Sequence, residues 1–492
     1  MKKLAKETAI YGVSSIAGKF INWLLVPMYS FVLAGTAEYG VVINLYAWTA
    51  LVVVILTYGM ETGFFRFAHD EKYNINKVYS TTLTSLGVTS LLFIVLCTAF
   101  PSNIAQILNY PDHPEYIIML GISVAIDAFA TIPFAYLRFE RRPIKFAAVK
   151  LLNIFLNIFF NVFFLVICPW LADKAPSLID WFYAPDYGVG YVFVSNILST
   201  TLYAIVLFII TPLPKCEFDK DLLKKMLRYS FPLLILGIAG IMNQTLDKII
   251  FPFLLEDKNF AESELGIYGA CFKISMVMMM FTQAFRYAYE PFVFSKHKDK
   301  NSKAAYADAM KYFVIFSLLI FLGMVFYLDI LKLLLKPIYW GGLQVVPIVL
   351  WSYIFQGIFF NLSMWYKLLD KTQFGIWFSL VGVVITLALN VVLVPKISYM
   401  GSAWASFVCY LVMLLLSYFF GQKYMPIQYN LKTIGLYIAV TLVLYAASFL
   451  VNSQYEIVNL LYRTVLLGLF ILLMVKRDFP LSEIPFVKKF VK

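Results

Sequence analysis

Uncharged apolar runs of 16 to 20 residues recur along this chain, among them Thr81–Phe100, Ile197–Pro212 and Leu436–Asn452. A helix needs ~20 mostly apolar residues to cross a hydrocarbon core about 30 Å thick. The runs lack the period-2 alternation of a membrane barrel, so helices are expected to cross. Composition closes the alternatives: 61% of the 492 residues are hydrophobic and 14% charged, against roughly 45–50% and 25% in soluble domains. A water-soluble globule could not hide that surface. The fold class is therefore an all-α polytopic membrane protein.

Hydropathy places fourteen spans, at about 9–34, 39–65, 79–100, 115–137, 146–168, 188–211, 229–254, 265–289, 310–335, 343–366, 374–394, 399–420, 432–451 and 457–475. Basic residues test the count. With the N-terminus in the cytoplasm, the inner segments hold 28 Lys and Arg and the outer loops 5, with the bias unbroken through every crossing. A missed or invented helix would invert it. The same bias accounts for the net charge of +12 without nucleic acid as a partner. Lys2, Lys3 and Lys6 before an apolar stretch imitate a signal peptide, but Lys19 and Asn22 interrupt the run, which reads as an uncleaved first span. The expected location is the cell (inner) membrane of a bacterium, multi-pass, with both tails cytoplasmic. Five scattered cysteines and three loop histidines (His69, His113, His297) form no metal spacing. No metal and no cofactor is expected.

The charged connector 212–228 divides the chain into an N-terminal six-helix lobe (1–211), a C-terminal six-helix lobe (229–420) and helices 13–14 with a tail (421–492). The lobes repeat. Pro27 matches Pro252 at an offset of 225, and Tyr39-Gly40 matches Tyr268-Gly269 at 229. Tyr136 and Glu140 match Tyr366 and Asp370 at 230, and Asn161 matches Asn390 at 229. Parallel six-helix repeats are a transporter architecture with the solute path between halves.

More specific are Tyr58-Gly59-Met60-Glu61-Thr62-Gly63-Phe64-Phe65-Arg66-Phe67, Gln283-Ala284-Phe285-Arg286 with Glu290-Pro291-Phe292, Asp370-Lys371-Thr372, and Asn390-Val391-Val392-Leu393-Val394-Pro395 followed by Gly401-Ser402-Ala403-Trp404-Ala405. In these places the chain resembles the polysaccharide (O-antigen type) flippases of the multidrug/oligosaccharidyl-lipid/polysaccharide exporter superfamily. The resemblance implies two six-helix lobes around a central cavity. It also implies passage of a polyprenyl-diphosphate-linked oligosaccharide from inner to outer leaflet, for cell-surface polysaccharide assembly alongside a polymerase machinery.

The residues carry an independent argument. A diphosphate crossing a low-dielectric core needs cations in the bundle. Lys19, Lys248, Lys273 and Arg286 sit within or at the ends of spans 1, 7 and 8 and are the candidate substrate cations, with snorkelling or structural pairing as the alternative. Lys150, Asn153, Asn157 and Asn161 share one stripe of span 5. Asn157 and Asn161 on it either meet sugar hydroxyls or bond an adjacent helix. Asp127 and Asp247 are candidates for coupling to H+ or Na+, or for plain pairing. Glu61 with Arg66, and Arg286 with Glu290, end the repeat-equivalent spans 2 and 8 and suggest an inner gate of ion pairs, or helix-end salt bridges.

Gly12 with Gly18-Lys19 imitates a phosphate loop, but the spacing is short and Phe20 stands where Ser or Thr is needed. With no soluble domain to hydrolyse ATP, the energy must come from gradients or from the substrate's own direction of synthesis and consumption. An inside-negative potential of 100 mV alone gives two outward-moving negative charges roughly 4–5 kcal/mol. A multidrug/cation antiporter and a lipid II flippase are the alternatives within transport. A membrane glycosyltransferase, polymerase or acyltransferase would need an acidic outer loop, a large outer loop or an intramembrane histidine, none of which is present. The chain is expected not to be an enzyme; its partners are the lipid-linked oligosaccharide and membrane lipid.

Overall fold

A computed structural model describes residues 17–212, 217–296, 301–451 and 453–479. The N-terminal lysines, Gly12, Cys216, His297 and the tail beyond Phe479 lie outside these. Among the described residues the secondary structure is helical throughout, without strands. Each expected span has a helix, numbered here as the span: α1 (Leu25–Val32), α2 (Thr36–Ala68), α3 (Ile75–Ala99), α4 (Pro114–Phe139), α5 (Pro143–Lys174), α6 (Gly190–Ile210), α7 (Lys220–Phe253), α8 (Lys258–Ile274 with Met276–Lys296), α9 (Ser302–Phe326), α10 (Pro337–Leu368), α11 (Gln373–Ile397), α12 (Tyr399–Tyr424), α13 (Leu431–Ala447) and α14 (Glu456–Arg477). Eleven are long and apolar enough to cross a bilayer, and α8 makes a twelfth when its two halves, bent by 45° at Ser275, count as one span. α13 is a shorter apolar helix of 17 residues.

The chain forms two compact units, Met1–Ala270 with Ser379–Ser402, and Cys271–Phe378 with Ala403–Lys492. In the first, α4 is central, packed on α3 and α6, while α6 covers α5 and α2 lies along α7. One apolar core joins Phe64 of α2, Tyr79 and Leu83 of α3, Ile132 of α4 and Met226 of α7. Another joins Phe134 of α4, Val149 of α5 and Tyr203 of α6. Lipid offers no hydrophobic driving force between helices, so close approach at small residues does the work. Where α2 crosses the start of α8, a Cβ on Gly40 would collide with the Glu262 carbonyl and one on Gly266 with that of Thr36. Thr36 and Ser263 hydroxyls close that seam at 2.5 Å.

α2 is not continuous. Tyr58 and Gly59 both take left-handed conformations, φ 33° and 72°, and redirect its last two turns. A Cβ at Gly59 would stand 2.9 Å from the Ser230 carbonyl of α7, so glycine is required there twice over. The motif Tyr58-Gly59-Met60-Glu61 is thus a helix break. The connector is docked as well: Glu217 N–H donates to Ser80, Asp219 N–H to Thr81, and the Asp219 carboxylate caps α7 at Asp221 and Leu222.

In the second unit α9 is central, against α10, α13, α14 and the second half of α8. Ion pairs pin α14 at both ends, Arg463 to Asp329 at 2.5 Å and Lys311 to Asp478 at 3.4 Å. Only 17% of the apolar window of α14 is buried, against 61% of that of α9, which marks α14 as a lipid-facing strut.

Candidate functional site

Helices α4 and α10 end in the same way. At each end one residue beyond the last turn is left-handed, Arg141 at φ 53° and Asp370 at φ 56°. The following N–H reaches back to a carbonyl five residues earlier, Arg142 to Leu137 at 2.9 Å and Lys371 to Tyr366 at 2.7 Å. This is a Schellman closure, which satisfies carbonyls that a helix end otherwise leaves bare. The two closures are 229 residues apart. They move the pairing expected there at 230 to the offset shared by Tyr39/Tyr268 and Asn161/Asn390.

At that offset Glu61 corresponds to Glu290 and Arg138 to Lys367. Both pairs form ion pairs: Arg138 with Glu61, and Lys367 Nζ with Glu290 Oε1 at 2.8 Å. Each links a residue at the end of α2 or α8 to the closing turn of α4 or α10. The copies then diverge. Arg138 also lies over the Phe65 ring, 4.9 Å from its centroid. Glu290 has a second cation, Arg286, whose Nε donates at 2.9 Å. Arg286 rests on the Phe360 ring at 5.1 Å, and among the described residues its two terminal nitrogens hold no hydrogen bond. With Lys367 and Glu290 it leaves one positive charge in excess. Arg66, expected beside Glu61, is instead exposed over the Tyr229 ring at 4.2 Å. In the sequence Arg138 and Lys367 read only as loop charges. The signal that could have found them was the 229 offset applied to charged positions.

A small cavity opens beside Arg286 and Glu290, lined by Thr282, Phe285, Tyr289, Phe313, Gly357, Phe360 and Asn361 as well. Its free space of about 10 Å³ suits one water-sized group.

In the first unit a second polar zone lies between α4, α5 and α6. Tyr203 donates a short hydrogen bond to Asp127, and Lys150 lies within electrostatic reach of that carboxylate, its ammonium 4.1 Å from the Phe134 ring. Asn157 donates to Ser199 of α6 at 3.3 Å. Asn161 is fully buried: its amide nitrogen bonds the Asn157 carbonyl at 2.8 Å and its oxygen accepts from Tyr29 at 2.9 Å. Asn390 repeats the arrangement, donating to the Thr386 carbonyl at 2.7 Å and accepting from Ser402 at 2.7 Å. Lys19, half-buried, follows Gly18, whose added Cβ would stand 2.7 Å from Ile154 of α5. Ile154 is one turn beyond Lys150 on α5.

At the opposite end of the first unit the ionic groups are consumed locally. Asp247 and Lys248, 3% and 9% exposed, pair at 2.9 Å. Tyr268 donates to Asp247 at 2.7 Å, and Asn44 of α2 donates to the Lys248 carbonyl at 2.7 Å while accepting from Tyr110 at 3.2 Å. Together with the Gly40/Gly266 seam this ties α2, α7 and the start of α8. Lys19 and Lys248 fall in the first unit, Lys273 and Arg286 in the second. Lys273 is half-buried two residues before the α8 bend. Among the described residues no cluster of His, Cys, Asp and Glu could hold a metal ion.

Comparison with known proteins follows the same lines. The family model for polysaccharide biosynthesis proteins matches residues 4–288, and the MatE model matches 258–392. Among solved structures, the lipid II flippase MurJ in an inward closed conformation superposes with a TM-score of 0.73 at 14% identity, over 95% of this chain and 98% of that one. An inward-facing multidrug resistance MATE family transporter of the MOP superfamily gives 0.60 at 12%, over 84% and 94%. The MATE multidrug transporter DinF-BH, in a ligand complex, gives 0.59 at 14%, over 86% and 95%. No curated protein matches.

Proposed function

Since the chain belongs to the polysaccharide biosynthesis protein family, we propose that it carries a polyprenyl-diphosphate-linked oligosaccharide from the inner to the outer leaflet of a bacterial inner membrane by alternating access. It is a multi-pass membrane transporter of the superfamily that holds lipid-linked flippases and MATE proteins, and not an enzyme. The product leaflet is where a polymerase machinery would take it up, and both tails face the cytoplasm.

The observation that carries this reading is the excess positive charge at Arg286. A guanidinium with two uncommitted nitrogens, on an aromatic face inside a membrane-spanning unit, suits a diphosphate and repels an organic cation. Lys150 of α5 and Lys19 supply the matching charge in the first unit. Lys273 at the α8 bend is a further substrate cation. Lys248 is a weaker candidate, because its ammonium is already bonded to Asp247 and to the Gln244 carbonyl. Asp127, held by Tyr203, is the candidate for H+ or Na+ coupling, and Glu61–Arg138 with Glu290–Lys367 form the inner gate. Asn157 has one bond to α6 and is half-buried, which leaves it able to meet sugar hydroxyls; Asn161 holds Tyr29.

The test is reconstitution in proteoliposomes with a fluorescent polyprenyl-diphosphate oligosaccharide in one leaflet. Wild type moves it, Arg286→Ala and Lys19→Ala reduce the rate at least about tenfold, and a cationic dye is not transported. Dye transport with no lipid-linked sugar movement would transfer the chain to the multidrug reading. In the same vesicles Asp127→Asn abolishes the response to an imposed pH or Na+ gradient; an unchanged response removes Asp127 from coupling.

A further inference from the structure

Two side chains in the Arg286 cavity are out of keeping with their surroundings. Threonines in these helices commonly return their hydroxyl to the carbonyl four residues earlier, as Thr57, Thr82, Thr131, Thr245 and Thr441 do. Thr282, 2% exposed, does not, and its Oγ1 has no partner. Asn361, 4% exposed, donates through its nitrogen to the Gly357 carbonyl at 3.1 Å, but its Oδ1 accepts nothing. A Cβ placed on Gly357 would stand 3.1 Å from Thr282 Oγ1, so the two orphan groups flank one glycine. A buried donor and acceptor left unmade together is a standing demand for a group that both accepts and donates. Both residues line the water-sized cavity, whose other walls are aromatic apart from Gly357 and the paired Arg286 and Glu290.

We infer that this cavity is the subsite for the sugar residue next to the diphosphate, with one hydroxyl or hydroxymethyl group of that sugar seated between Thr282 and Asn361. The chemistry on each wall matches such a ligand. The ring C–H faces of a sugar pack on Phe360 or Phe285, as apolar faces do on aromatic rings. The hydroxyl donates to Asn361 Oδ1 and accepts from Thr282 Oγ1. The adjoining phosphate lies within the reach of the free edge of Arg286. A bare phosphate would leave Asn361 Oδ1 unpaired, because phosphate oxygens donate nothing. The cavity therefore distinguishes a glycosylated carrier from an empty one. The inference rests on the reading of Arg286 as a diphosphate ligand.

The experiment uses the full chain in lipid nanodiscs and three probes: a polyprenyl diphosphate, the same carrier bearing one hexose, and the same carrier bearing one N-acetylhexosamine. At least one glycosylated probe is expected to bind wild type more tightly than the bare carrier. Thr282→Val and Asn361→Leu, which keep the side-chain shape, are expected to weaken that probe about tenfold and leave the bare carrier within about twofold. Equal binding of all three probes to wild type overturns the inference. So does a Thr282→Val protein that binds all three as wild type and melts higher, because deleting a hydroxyl that only held a water or nothing relieves its burial cost. Arg286→Ala separates the two levels. It weakens all three probes where the diphosphate assignment stands. If all three are unaffected by Arg286→Ala while Thr282→Val still discriminates between them, the diphosphate role falls and the sugar subsite remains.

Discussion

Asn161 and Asn390 show what a spacing pattern carries and what it does not. The 3-4-4 stripe on α5 places Asn161 on a polar face, but the face could have met sugar or another helix. In the structure each asparagine ties its own helix at i−4 and accepts a hydroxyl from a second helix, Tyr29 or Ser402. Replacing either with leucine strands that hydroxyl in a buried site, at a cost of about 1–3 kcal/mol. The measurement is the melting temperature of purified protein in detergent, where Asn161→Leu falls well below wild type while Asn153→Leu, at a half-buried position on the same stripe, changes little. The lysines divide similarly. Their depth was legible from the sequence, whereas the pairing of Lys248 with its neighbour Asp247 depends on two side chains rotating to meet, which spacing does not specify. Arg138 was invisible for the opposite reason, since a helix-end arginine looks like any other topology charge. Reversing both charges in Glu290→Lys/Lys367→Glu is expected to recover much of the transport lost in either single variant, and a double-variant cycle with no coupling would remove the pair from the gate.

At the level of elements, hydropathy found a helix for each span it placed, because apolar content is written residue by residue, but it missed the short helix Pro101–Ile107 between α3 and α4. It did not find the break in α2 or the bend in α8, which are set by backbone torsions and leave apolar content unchanged. Gly59→Ala tests the break: at φ 72° a side chain costs about 1–2 kcal/mol before its contact with the Ser230 carbonyl is counted. The expected outcome is a lower yield of folded protein by size-exclusion chromatography, with Gly435→Ala, where an added Cβ meets nothing, as the tolerated control. The connector has a pH signature. Lys77, at 2.7 Å, and the capped N–H groups of Leu222 and Asp221 hold the Asp219 carboxyl below the ordinary carboxylate range. A depressed carboxyl contributes stability above its unfolded pKa of about 3.9 and loses it as pH falls through the lower folded value. Protection of the amides at residues 217–222 against hydrogen exchange, taken relative to an unstructured chain at each pH, is therefore expected to hold from neutral pH down to about pH 4 and to fall below it. In Asp219→Asn that change is absent, because a carboxamide keeps the cap and does not titrate.

For the molecule as a whole, the near-constant offset in the sequence suggests a duplication, and the Schellman closures at Arg141 and Asp370 stand at the same spacing of 229 residues. What the sequence did not disclose is that the starts of α2 and α8, which are equivalents in the two copies, grip each other. That contact depends on two glycines and two hydroxyls whose significance appears only when the helices cross. Thr36→Cys with Ser263→Cys, at positions whose hydroxyl oxygens are 2.5 Å apart, is expected to form a disulfide under mild oxidation. The cross-link should arrest transport, and reductant should restore it. Transport that continues through the linked protein would show that this seam never opens.

The Gly40/Gly266 crossing also constrains how the two copies can change over generations. Gly40 packs on the Glu262 carbonyl and Gly266 on the Thr36 carbonyl, so a side chain gained at either position forces the two backbones apart. The first turns of α2 and α8 are thereby bound to evolve together.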